Sequence, residues 1–123
     1  MTSAQGALTG KRVLVVEDDY FIAKGLARSL KASGADVLGP VATVADALHL
    51  VQAGPLDGAV LDINLRGDLV YPVADALTEQ AVPFIFATGY GPKVIPPRYA
   101  MITRCEKPVE PDTFIQALFS RAP

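Results

Sequence analysis

The sequence predicts a doubly wound α/β domain built on a five-stranded parallel sheet, and three observations carry that expectation. Short, nearly unbroken apolar runs lie at Val13–Val16, Val37–Leu38, Gly58–Leu61, Pro83–Ala87 and near Met101–Cys105, as suits strands buried on both faces. Segments with apolar residues at helical spacing separate them, and this alternation calls for a parallel sheet with right-handed crossovers and helices on both faces. Four of the runs also end in chemically competent side chains: Glu17-Asp18-Asp19, Asp62, Thr88 and Lys107-Pro108.

Each element has its own justification. Residues 1–10 are small and polar and are expected to form a flexible leader. Ile22, Leu26 and Leu30 recur at i, i+4 and i+8, which predicts an amphipathic helix from about Tyr20 to Ser33, ended by Gly34. Val37-Leu38 open a second strand that stops by Gly39-Pro40 or at Val41. Thr43 can cap a helix that carries Val44, Leu48 and Val51 on one face and stops at Gly54-Pro55. Val70, Val73, Ala74 and Leu77 mark a third helix, with Pro72 in its first turn, where a missing amide hydrogen costs little. The stretch Gly89–Arg98 holds Pro92, Pro96 and Pro97, so an irregular segment with about one helical turn replaces a regular fourth helix. A last helix opens near Asp112 and turns Phe114, Ile115, Leu118 and Phe119 inward.

Composition bounds the function. With 123 residues, half of them hydrophobic, the chain suits one domain with its own core. Eleven basic and 13 acidic residues leave a net charge of -2, so no field favours nucleic acid or anionic lipid. The lone cysteine, Cys105, cannot form an intrachain disulfide and fits a reducing compartment. Neither an apolar signal segment nor a span-length apolar run is present, so the expected location is the cytoplasm.

In open α/β sheets, ligands sit beyond the carboxyl ends of the strands, where the strand order reverses. For the order 2-1-3-4-5 that point lies between the first and third strands, which carry Glu17-Asp18 and Asp62. Carboxylates gathered there repel one another unless a hard cation sits among them, and Mg²⁺ suits one or two carboxylates plus a phosphoryl oxygen. Thr88 can donate to a second phosphoryl oxygen and Lys107 can neutralise a third. Phosphoryl transfer needs little more than such positioning and charge stabilisation, with a carboxylate as nucleophile.

The strings VLVVEDD, LDIN, FATGYG and EKP together resemble the receiver domain of two-component response regulators, over roughly residues 11–120. The resemblance implies a flavodoxin-like fold, Asp62 as phospho-acceptor, and Mg²⁺ held by Asp18, by Glu17 through water, by Asp62 and by the Asn64 carbonyl. It makes Thr88 the switch hydroxyl, pairs Lys107 with Asp62 or its phosphate, and sets a cis bond between Lys107 and Pro108. Phe86-Ala87-Thr88-Gly89-Tyr90-Gly91 and Tyr71-Pro72-Val73-Ala74-Asp75-Ala76-Leu77 are similar to the FAT GUY subgroup, small receivers served by HWE or HisKA2 histidine kinases. That likeness puts Tyr90 at the mouth of the site, where it can limit attack by water. Residues 11–123 then form the receiver, with no output domain, signalling through a downstream protein or acting as a phosphate shuttle or sink. One departure stands out: Arg104 occupies a position three before the lysine that receivers usually give to an aromatic. It is expected to stay at the surface, because a guanidinium does not enter an apolar pocket alone.

Single residues carry less weight than the set. Asp19 reads as the cap of the first helix, Asn64 alone as a turn residue, His49 as a helix-surface residue and Cys105 as a small core residue. Two other functions compete. A magnesium-dependent phosphatase of the haloacid-dehalogenase type needs an acid two residues after its nucleophile, where this chain has Asn64. A pseudo-receiver that binds without accepting phosphate would not need Asp62, Asp18, Thr88 and Lys107 together.

Overall fold

The computed structural model describes residues 6–89 and 95–119. Along the chain run β1 (Arg12–Val16), α1 (Tyr20–Ala32), β2 (Asp36–Val41), α2 (Val44–Ala53), β3 (Gly58–Asp62), β4 (Asn64–Leu65) and β5 (Asp68–Leu69). They are followed by α3 (Tyr71–Glu79), β6 (Phe84–Thr88), a 3-10 turn (Pro97–Tyr99), β7 (Arg104–Glu106) and α4 (Pro111–Leu118). The main sheet is parallel in the order β2-β1-β3-β6-β7, and β4 and β5 form a separate antiparallel hairpin. The sheet is the expected flavodoxin-like one.

Alternation along the strands divides the core in two. Leu14, Val16, Ala59, Leu61, Phe84 and Phe86 face α2 and α3, while Val13, Val15, Val60, Ile85 and Ala87 face α1 and α4. Because every inner strand is covered on both sides, its sequence reads as an apolar run without polar alternation. Gly58 admits the last helix: a Cβ there would stand 3.0 Å from Leu118 and 3.2 Å from Phe119.

The helix ends follow local chemistry. The Asp19 carboxylate accepts from the amides of Phe21 and Ile22, and the Thr43 hydroxyl accepts from the Asp46 amide. Pro72 lies in the first turn of α3.

Two expectations need correction. Of the predicted leader, residues 6–10 form a turn that packs on the domain: Leu8 is fully buried and its amide donates to the Ser33 carbonyl at 2.8 Å. A lone leucine among polar residues has no period to flag it, yet burying it is worth about 2 kcal/mol. The last strand starts at Arg104, later than the apolar run from Met101 suggests. Met101 is 94% exposed, and the Ile102 amide donates to the Tyr99 carbonyl, so the chain is still turning there.

Candidate functional site

Strand register brings the candidate residues together. Val16 is level with Leu61, so Glu17, the next residue of its chain, comes level with Asp62. Asp62 pairs with Ala87, Thr88 pairs with Glu106, and Lys107 follows directly. The Lys107 amide donates to the Thr88 carbonyl at 2.9 Å, and the Lys107–Pro108 bond is cis, as the resemblance implies. Glu17, Asp18, Asp62, Thr88 and Lys107 all line one cavity of about 990 Å³ at the carboxyl ends of the strands.

Charge is densely packed at its floor. Glu17 and Asp62 are buried and Asp18 is half-buried, with one carboxylate oxygen from each within 4.8 Å of the others. Lys107 Nζ stands 2.6 Å from Glu17 Oε1 and 3.3 Å from Asp62 Oδ1. One ammonium cannot balance three carboxylates. Burial, the hydrogen bond with Asp18 and the charge of Glu17 raise the Asp62 carboxyl to about 7, against the opposing pull of Lys107. For Asp18, burial pulls upward, but hydrogen bonds with Asp62 and Glu17 prevail and hold it below the usual carboxylate range. The two acids titrate as a pair, and the higher proton affinity falls to Asp62. Burial draws the Lys107 ammonium downward, while Glu17 and Asp62 outweigh it and keep the charge on. The three carboxylates offer hard oxygen donors of the kind that suits a divalent cation.

The rim comes from other elements. The Asn64 side chain accepts from the Gly67 amide at 2.7 Å, which leaves its carbonyl as the group the resemblance assigns to the metal. Asp19 is occupied as a helix cap, His49 is exposed on α2, and Arg104 is exposed on β7, as expected for each. Cys105 is buried, and that burial raises its thiol pKa. Tyr90 lies outside the described residues, as do residues 91–94 of the irregular Gly89–Arg98 stretch, whose one expected helical turn is the 3-10 turn at Pro97–Tyr99.

No family model matches the chain. Among solved structures, SdrG from Sphingomonas melonis is 37% identical over 95% of this chain and 96% of its own, with a TM-score of 0.77. The chain belongs to the response-regulator receiver family. This receiver also matches the BeF3-activated conformation of SdrG, with a TM-score of 0.71. A CheY-like receiver domain protein from Methanospirillum hungatei, 24% identical over 86% of this chain and 88% of its own, shares the fold with a TM-score of 0.72. Among curated relatives, the transcriptional regulatory protein TcrA of Mycobacterium tuberculosis is 39% identical over 93 residues, 72% of this receiver. The receiver spans about a third of TcrA's length, 35%.

Two groups were not read as functional from the sequence. Arg66 reaches the site, with Nε 3.7 Å from Asp18 Oδ2 and a guanidinium nitrogen 3.4 Å from the Asp18 carbonyl. Tyr99 packs among Tyr71, Phe84 and Phe86, and its hydroxyl donates to Asp75, which also holds Arg98 at 3.1 Å. The dipeptide Arg66-Gly67 was a possible hairpin signal for the first; no local pattern announces the second.

Proposed function

We propose that this receiver takes a phosphoryl group onto Asp62 from the phosphohistidine of a sensor kinase. The observation that carries the reading is the placement of Asp62 at the end of β3, level with Glu17, beside Asp18 and 3.3 Å from the Lys107 ammonium. An oxygen of the Asp62 carboxylate forms the new bond to phosphorus, the bond from phosphorus to the histidine nitrogen breaks, and the imidazole leaves with that electron pair. The product is an acyl phosphate. Below about pH 7 Asp62 holds a proton, which must leave before the carboxylate attacks.

The donor set fits Mg²⁺, with Asp18, Asp62, the Asn64 carbonyl and, through water, Glu17 as the groups that would hold it. When bound it supplies the positive charge that keeps Asp62 ionised and neutralises phosphoryl oxygens. Lys107 holds a phosphoryl oxygen on one side, and the Thr88 hydroxyl donates to another, so that closing of Thr88 reports phosphorylation. The BeF3-activated structure of SdrG supports this reading, since beryllofluoride has the shape and charge of a phosphoryl group.

The kinase belongs to the HWE or HisKA2 type and the receiver to the FAT GUY subgroup, on the strength of Phe86–Gly91 and Tyr71–Leu77. Its work is signalling in the cytoplasm through a partner protein, or service as a phosphate shuttle or sink, without catalytic turnover of its own. Among the described residues no helix is long and apolar enough to cross a membrane. The hydrolase alternative lacks an acid at the second position after Asp62, where the Asn64 side chain is engaged with Gly67.

Incubation with acetyl phosphate and Mg²⁺, followed by intact mass measurement, tests the proposal. The wild-type chain should gain one phosphoryl group and Asp62→Ala none; labelling of the variant to the wild-type level would sink it.

A further inference from the structure

The cavity has an electrostatic problem that Lys107 does not solve. Five carboxylates line it against two cations, Lys107 and Arg66, among the described residues. An incoming phosphodonor is itself an anion. The Lys107 ammonium is already committed to Glu17 and Asp62, and its side chain is only 14% exposed. Arg66 is 79% exposed and loosely held, at 3.7 Å from the Asp18 carboxylate. An exposed pair of that length is readily exchanged for another.

The backbone beneath Arg66 points the same way. Leu65 pairs with Asp68, so Arg66 and Gly67 are the two central residues of the hairpin turn, with φ of 55° and 98°. A turn with both central residues left-handed favours asparagine, aspartate or glycine at its first position. Arginine there is strained, and strain of this kind is kept where a site uses it. The base of the turn is firm: the Asn64 side chain holds the Gly67 amide, the Val70 amide donates to the Ile63 carbonyl at 2.9 Å, and Leu65 is buried. A long, exposed guanidinium thus stands on a fixed support at the rim.

We propose that Arg66 is the anion-capturing residue of the phosphoryl site. It covers Asp18 while that carboxylate lacks a cation, and it turns into the cavity to hold a phosphoryl oxygen of a small phosphodonor, an acyl phosphate or phosphoramidate, once a divalent cation has taken Asp18. This rests on the phospho-acceptor reading above. Arg66 guides binding and takes no part in bond making.

The two roles of Arg66 have opposite signs, which makes them separable from a purely structural one. In the full chain, Arg66→Gln should bind Mg²⁺ about two- to fivefold more tightly in a calorimetric titration, because a competitor for Asp18 is gone. The same variant should be labelled by acetyl phosphate about tenfold more slowly at saturating Mg²⁺ and low donor, because a charged hydrogen bond is lost. Phosphoramidate should show the same slowing. Arg66→Lys, with its charge retained, should lie between wild type and Arg66→Gln in both measurements. Unchanged values in Arg66→Gln overturn the proposal, and so does a joint fall in Mg²⁺ affinity and labelling, which marks a damaged turn. Wild-type protein that neither binds Mg²⁺ nor accepts phosphate overturns the proposal together with the reading beneath it.

Discussion

The connections that leave β3 and β6 flank the same site and are held by opposite means. After Asp62 the chain closes at once into the β4–β5 hairpin, secured by backbone pairing and by the Asn64 side chain on Gly67. After Thr88 the link to β7 has one described 3-10 turn whose own backbone bonds are local, and side chains fasten that turn to the domain. Tyr99 is 4% exposed among Tyr71, Phe84 and Phe86, and Arg98 and Tyr99 both reach Asp75 on α3. Backbone ladders fix a loop residue by residue, whereas buried or paired side chains fix it at separate points. The first arrangement gives Asn64 and Arg66 a fixed base beside Asp62, and the second ties the described part of its link to α3.

The sharpest way to break this contrast is Tyr99→Ala. Removing a ring from a packed aromatic cluster should cost about 3–5 kcal/mol in urea unfolding. A loss under about 1 kcal/mol would show that the ring does not anchor the second connection, as it would match an ordinary surface change.

A smaller effect separates the carboxylate that starts the first connection from its surroundings. With Asp62 raised to about 7 from 3.8, the folded metal-free protein keeps a proton that the unfolded chain has lost between those values. Stability therefore falls as pH rises through that window. Asp62→Asn should need more urea to unfold than wild type above about pH 7, and the gap should close towards about pH 4, the unfolded carboxyl value. A gap that stays constant with pH would refute the assignment of the proton to Asp62.

Gly67→Ala tests the turn. Nothing lies within 4 Å of the added carbon, so only the left-handed backbone resists it. The expected loss is about 1 kcal/mol, read from the same urea midpoint, and a neutral result would mean that the hairpin tolerates a relaxed turn.

The finest distinction uses Asp75→Asn, which weakens the hold on Arg98 while leaving Tyr99 packed. Amide exchange should quicken in residues 95–103 and stay unchanged in 64–70. Equal changes in both would mean that the two connections are one cooperative unit.

What the sequence alone determined is what neighbours in the chain can dictate. Strand runs such as Val13–Val16, the helical spacing of Ile22, Leu26 and Leu30, and the caps Asp19 and Thr43 all act within a few residues. The set Glu17, Asp18, Asp62, Thr88 and Lys107 was legible because strand ends in a doubly wound sheet converge by topology. The tertiary structure alone decided the rest. Leu8 has no periodic partner until Ser33 stands beside it, and Arg66 meets Asp18 across 48 residues. Tyr99 reaches Asp75 across 24, and the proton on Asp62 depends on which charges burial assembles around it. Local propensity is short-ranged, whereas ion pairs, buried rings and proton affinities are set by whatever the closed fold brings near. The sequence contains that information only through the fold it specifies.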